Sequence, residues 1–155
     1  MIKINVIINN TSWFKYLKNP NNYIDRKINK LNLREKKFNK KSIFCTLLLS
    51  GNQEIKNLNK KFRKKNKATD VLSFPFHTKR ELENKIKKEK EIYLGDIIIS
   101  LNKIKNKKKL SNFKNEFNNL WIHGLVHLFG YDHKKNNDFL SMKRVEERYI
   151  NSINV

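Results

Sequence analysis

Three of the four histidines in this 155-residue chain fall within one short stretch, His123-Gly-Leu-Val-His127-Leu-Phe-Gly-Tyr-Asp-His133. On a helix, His123 and His127 share a face one turn apart. Gly130 then offers the left-handed conformation that ends helices, so the chain can swing back to present His133. Each buried imidazole needs a polar partner, and one cation satisfies all three. Three imidazoles with an open fourth position suit a zinc ion that keeps room for a reactive water. Three histidines hydrogen-bonded separately are the bland alternative.

The offsets 0, 4 and 10, with glycine at 7, equal those of the metzincin proteases. Those enzymes carry a general-base Glu directly after the first histidine, and here that position is Gly124. Peptide hydrolysis therefore loses its base. The charge balance offers another substrate. The chain holds 35 basic and 14 acidic residues, a net charge of +21, which points toward an anionic partner such as nucleic acid. Residues 26–67 alone carry 15 Lys and Arg against Glu35 and Glu54. Against this, 29 Lys accompany 24 Asn and a single Ala, a bias that a genome's base composition also produces. A solvated lysine-rich face is the alternative reading of the segment. The single cysteine, Cys45, excludes an internal disulfide and fits a reducing compartment. No apolar run approaches the roughly 20 residues of a membrane helix, and the N-terminus lacks the pattern of a signal peptide. A cytoplasmic protein without membrane contact is the expectation.

The motif His-Gly-x-x-His-Leu-x-Gly-Tyr-Asp-His resembles the signature of the bacterial YbeY-type endoribonucleases, also called rRNA maturation factors. Leu58-Asn59-Lys-Lys-Phe62-Arg63, followed by Ala68-Thr69-Asp70-Val71-Leu72-Ser73-Phe74-Pro75-Phe76, is similar to that family's second block. Leu94-Gly95-Asp96-Ile97 with Ile99-Ser100 is similar to its third. The blocks lie in order and in register over residues 43–150, while the first 40 residues match only as a generic strand and helix. The family commonly has Arg-Gly-Lys and Pro-Thr where this chain has Arg63-Lys64-Lys65 and Ala68-Thr69. Both departures concern loop geometry and leave the histidines and the arginine intact.

The resemblance implies a zinc-dependent endoribonuclease specific for single strands. It would act in rRNA maturation, notably at the 3′ end of the small-subunit rRNA, and in ribosome quality control. Its partner would be ribosomal RNA or the small ribosomal subunit, and its cofactor one zinc ion. His123, His127 and His133 are carried over as metal ligands. Arg63 and His123 become the catalytic residues, His123 through the water on its metal. From the residues alone Arg63 reads as one more surface cation, although its planar fork suits a phosphate. Asp132 is a candidate to fix a ligand imidazole by accepting its N–H, or else a turn cap. Ser73 and Asp96 are candidate substrate contacts, against plain roles in strand packing and a turn. Tyr131 and Trp121 offer faces for base stacking, with core packing the better reading of Trp121. His77 and Cys45 are not expected to be ligands. Gly124, lacking a side chain, is expected to leave room for a backbone phosphate. The rival reading is a non-catalytic ribosome-assembly factor that binds RNA, its structural zinc closed by Asp132 or His77.

The elements that must position these residues read as one α+β domain over residues 1–155, a mixed sheet of about four strands with packed helices. Strands are expected over residues 2–8, 43–49 and 93–100, with an edge strand at 69–76 because of Pro75. Helices are expected from near Trp13, over 23–33 and 53–62, and from Ser111 to Phe129. The last is apolar on almost every side and must be a core helix. A final helix after Asn136 or Asn137 buries Phe139, Met142, Val145 and Tyr149. Residues 78–91 read as an exposed loop and 101–109 as a basic helical segment.

Overall fold

Alternation along β1 (Ile2–Ile8) buries Ile2, Ile4 and Val6 and exposes Lys3 and Asn5, the signature of a half-covered strand. The computed structural model describes residues 1–155. After β1, a 3-10 turn over Thr11–Lys15 replaces the helix expected near Trp13. The turn sinks Trp13 into the core, where its Nε1 donates to the Ser50 carbonyl at 2.9 Å. The Asn-Pro pair at 19–20 opens α1 (Pro20–Arg34) three residues before Tyr23: Asn19 Oδ1 accepts from the Asn22 N–H at 3.0 Å, and Pro20 fills the first turn.

The chain continues through β2 (Ser42–Ser50), α2 (Asn52–Arg63), β3 (Val71–Pro75), α3 (Lys79–Lys88), β4 (Glu91–Ser100), α4 (Leu110–Leu128) and α5 (Asn136–Asn154). The sheet order is β1-β2-β4-β3, with β1, β2 and β4 parallel and β3 antiparallel at the edge. The α+β fold with a four-stranded mixed sheet is thus as the sequence predicts. On one face, α1, α4 and α5 enclose the main core; α2 packs on the other, through Ile55 against Leu72 and Ile98. Helix α4 is buried along its length by Phe113, Phe117, Trp121, Ile122, Leu125 and Val126. Its one buried amide, Asn118, is satisfied because Tyr23 Oη and Trp121 Nε1 both donate to Oδ1 at 3.0 Å.

Four local expectations are corrected. Residues 79–88 form a helix, not a loop, because Thr78 and Glu81 make a reciprocal capping box and Leu82 is buried. Residues 101–109 contain only a 3-10 turn over Leu101–Lys103, since the Glu116 carboxylate accepts the backbone N–H groups of Lys105 and Asn106 and holds them open. Helix α4 begins at Leu110 without a side-chain cap, so Ser111 lies inside it. Phe139 is exposed instead of lying on the buried stripe of its helix.

One irregularity decides which side chains reach the site. The register between β2 and β4 shifts between Phe44 and Thr46, where Gly95 takes a φ of +132°. A Cβ at Gly95 would lie 2.1 Å from the Phe74 carbonyl oxygen, so the bulge requires glycine. Past it, alternation restarts: Ile97 and Ile99 face the main core, and Asp96 turns to the opposite side with Tyr93.

Candidate metal centre

Helix α4 delivers His123 and His127 on one face at its C-terminal end, both half-buried. Their outer nitrogens are engaged. His123 Nδ1 lies 2.6 Å from Glu146 Oε1 on α5, and His127 Nδ1 donates to the Tyr131 carbonyl at 2.9 Å. With both Nδ1 atoms protonated and donating outward, both Nε2 atoms present lone pairs, and these face each other at 3.1 Å. Two lone pairs so placed repel unless a proton or a cation lies between them. Burial first, and then the neighbouring His123, hold the His127 pKa below the ordinary imidazole value, which favours the neutral, ligating form.

Gly130 completes the set. With φ at +89° it turns the chain after α4, and its amide donates to the His127 carbonyl at 2.9 Å. The returning segment carries His133, so that one ligand nitrogen from each of the three histidines lies within 4.8 Å of the others. Three imidazoles at such spacing match the donor chemistry of zinc. The half-buried pair forms the floor and the exposed His133 the rim.

Beside the histidines opens a cleft of about 700 Å³, lined by His127, His133, Arg63, Lys65, Lys79 and Lys134 among others. Arg63 ends α2 and reaches the edge strand, where Nη2 donates to the Ser73 carbonyl at 3.0 Å and the guanidinium lies 5.8 Å from the Phe74 ring centroid. The loop behind it is fixed by Lys64 in the left-handed conformation, φ 58°, and by Asn59, whose Nδ2 donates to the Lys67 carbonyl at 2.8 Å.

Residues 7–154 match the family model described as Endoribonuclease YbeY. This chain belongs to the YbeY family. It is 44% identical over 149 residues to the endoribonuclease YbeY of Pelagibacter ubique, covering 95% of this chain and 93% of that one. The YbeY of Buchnera aphidicola is 35% identical over 154 residues, with coverages of 97% and 92%, and that of Ehrlichia canis 32% over 161 residues, with 100% and 94%. A solution structure of a Thermotoga maritima protein shares the fold, with a TM-score of 0.59 at 23% identity over 97% of this chain and 89% of that one.

Within this chain the other sequence-predicted residues separate. Asp132 does not touch an imidazole: its Oδ1 accepts the His133 backbone N–H at 2.7 Å, so it shapes the turn. The residue that holds one of the three histidine rings, His123, is Glu146, which the sequence reading missed. Asp96 lies on the far face of the sheet, accepting from Tyr93 Oη at 2.5 Å, and so does not reach the cleft. Ser73 borders the cleft, but its side chain is buried with Oγ 3.4 Å from the Gly124 carbonyl. Gly124 opens no space for a phosphate, because a Cβ there would stand 2.6 Å from Ile97 Cγ2 in the core. Tyr131 is half-buried at the cleft with Lys79 Nζ 5.9 Å from its ring centroid, while Trp121 is wholly core. His77 borders the cleft but rests edge-on against Phe76 and is outside the three-histidine group. Cys45 is buried, its thiol pushed up to about 12 by burial.

Proposed function

We propose that this protein is a zinc-dependent endoribonuclease that cuts single-stranded RNA, with His123, His127 and His133 as the ligands of one metal ion. The observation that carries the reading is the pair of Nε2 atoms facing each other at 3.1 Å beside a cleft lined by Arg63. The relatives' printed name, endoribonuclease, supports the reaction class. A zinc ion held there would lower the pKa of a bound water from about 15.7 toward 7 and polarise a phosphoryl oxygen.

The chain's own residues do the rest. Glu146 and the Tyr131 carbonyl keep His123 and His127 in the tautomer whose Nε2 is free to ligate. Arg63 has one guanidinium N–H committed to Ser73 and keeps its remaining donors for a phosphate in the cleft. Charge that develops on the phosphorane oxygens is met there. Lys65, Lys79 and Lys134 border the same cleft and attract flanking phosphates without regard to sequence. No helix of the chain is long and apolar enough to cross a membrane.

The narrower role, maturation of the 3′ end of small-subunit rRNA and ribosome quality control in the cytoplasm, is carried by the family resemblance. The rival reading, a closed structural zinc, needs a fourth ligand from Asp132 or His77. Asp132 accepts the His133 amide, and His77 lies outside the three-histidine group, which favours catalysis. The test is cleavage of single-stranded and duplex RNA by highly purified protein, with zinc content measured in parallel. His123→Ala should lose both zinc and cleavage; Arg63→Ala should keep zinc and cleave about 100-fold more slowly. Cleavage persisting in both variants would mean a contaminating nuclease and end the catalytic reading.

A further inference from the structure

The sheet face opposite α4 is only partly covered. Helix α2 lays Ile55 and Leu58 over Leu48, Leu72 and Ile98, toward the ends of the parallel strands. Nearer their beginnings the same face carries aromatic rings. Lys3, Phe44 and Tyr93 are register neighbours across β1, β2 and β4. Phe76 follows just past β3, its backbone N–H donating to the Leu94 carbonyl at 2.9 Å. Ring centroids are 5.4 Å apart from Phe44 to Tyr93 and 5.7 Å from Tyr93 to Phe76. Phe44 is 39% exposed and Phe76 69%. Tyr93 is held in place by its hydroxyl, which donates to Asp96 and lies 3.1 Å from Thr46 Oγ1.

Single exposed apolar residues need no explanation, but a connected row of rings is a binding surface. The charge around it selects the occupant. Lys3 stands at one end. Beside the row, a second aromatic pair, Phe62 and Phe74, carries Lys61 Nζ 5.3 Å from the Phe62 centroid and Arg63 5.8 Å from that of Phe74. Asp96, the carboxylate amid these rings, is taken up by Tyr93, and Glu91 sits at the margin. Aromatic faces flanked by cations fit a chain of flat bases joined by phosphates. In a duplex the base faces are hidden, so the fit is to an unpaired strand. The row also leads to the metal cleft: Phe76 adjoins His77 at 5.0 Å, and Pro75, His77 and Thr78 line that cleft.

We propose that Phe44, Tyr93 and Phe76 form a stacking platform for unpaired bases of single-stranded RNA, on the sheet face opposite the metal helix and joined to the cleft around the free edge of β3. The substrate class rests on the RNA reading above; the platform adds a second place where the strand is held. Its aromatic character separates it from the lysines, which bind any polyanion.

The experiment measures binding of a labelled, phosphorothioate-linked single-stranded RNA oligonucleotide and of its duplex to the zinc-loaded protein, across a salt series. Phe44→Ser and Phe76→Ser should each raise the single-strand Kd about fivefold or more, and together more still. The slope of log K against log salt should not change, because no cation is removed. Zinc content and melting temperature confirm that the variants remain folded. An unchanged Kd in the double variant overturns the platform, as does an equal loss for duplex and single strand. So does a wild-type dimer that the double substitution makes monomeric in sedimentation, since the face would then serve a second copy of the chain. Cleavage by wild type with unchanged binding by the double variant sinks the platform alone. Binding lost in the variants, with no cleavage by wild type, sinks the catalytic reading alone.

Discussion

His123 is gripped from behind by a carboxylate that lies 23 residues away in sequence, on a different helix. That distance explains why the histidine cluster could be read from the sequence and its support could not. His123 and His127 are set by helical periodicity, and Gly130 announces the turn to His133, so local rules suffice. Glu146 meets His123 only through the packing of α5 on α4, which no spacing rule encodes. Glu146→Ala should weaken zinc binding about 10- to 100-fold, measured by competition with a chromophoric chelator. Glu146→Gln keeps an acceptor oxygen for Nδ1–H and should recover part of the loss. Lys64 makes a second prediction. It takes a left-handed φ of 58° where the resembling family commonly has glycine, and a side chain there carries a conformational cost. Lys64→Gly should therefore stabilise the protein by about 0.5–1 kcal/mol in urea unfolding. Cys45 supplies the pH dependence. Its thiol is raised by burial, and secondarily by Asp96, from 9.0 to about 12. Between those values the unfolded chain has lost a proton that the folded chain retains. This contribution is complete below about pH 9 and is lost as pH rises toward 12. In Cys45→Ala the alkaline fall in stability should be shallower than in wild type, as measured by denaturant titrations on either side of that window.

Elements were legible wherever their pattern was local and misread where packing changed the count. The capping box Thr78-x-x-Glu81 was present in the sequence, yet the charged run around it suggested a loop because only Leu82 and the half-buried Ile86 anchor α3 in the core. The bulge at Gly95 matters more, since one extra residue moves Asp96 to the other face and gives Ile97 to α4. Gly124 then acquires a meaning that differs from the sequence expectation: it lets helix α4 pack closely on Ile97 of β4. Substituting valine adds a branched Cβ at a point where even the first carbon would lie 2.6 Å from fully buried Ile97. The helix-propensity gain over glycine is a few tenths of a kcal/mol, whereas overpacking a core costs about 1–3 kcal/mol, so packing decides the sign. Gly124→Val should lower the urea midpoint accordingly. Because Gly124 follows His123, the same displacement should reduce zinc occupancy in the purified protein, and normal occupancy with unchanged stability would show that α4 does not need this close approach.

At the scale of the molecule, a net charge of +21 acts on folding and on binding with opposite signs. Of the 35 lysines and arginines, only Lys37, Lys85, Lys134 and Arg148 stand within ion-pair distance of a side-chain carboxylate. The folded chain therefore gathers a large excess of like charge, and its self-repulsion works against compaction. Added salt shortens the screening length from about 30 Å at 0.01 M to about 8 Å at physiological ionic strength. Repulsion between distant lysines fades over that range, whereas the buried sheet and α4 lose nothing, so the melting temperature should rise. Binding to RNA should move the other way, because each phosphate neutralised by a lysine or arginine releases counterions, and the released ions are worth less in salt. Melting curves and RNA titrations over one salt series thus make a joint test. A melting temperature that falls with salt while affinity also falls would mean that attractive ion pairs, not the excess of cations, dominate the surface. If affinity proved independent of salt, the basic residues would be solvating the fold and not holding phosphates. Arg63 separates the local contribution from the global one. Its removal takes a single contact from the cleft and should reduce the magnitude of the salt slope by about one, leaving the rise in melting temperature nearly as it was.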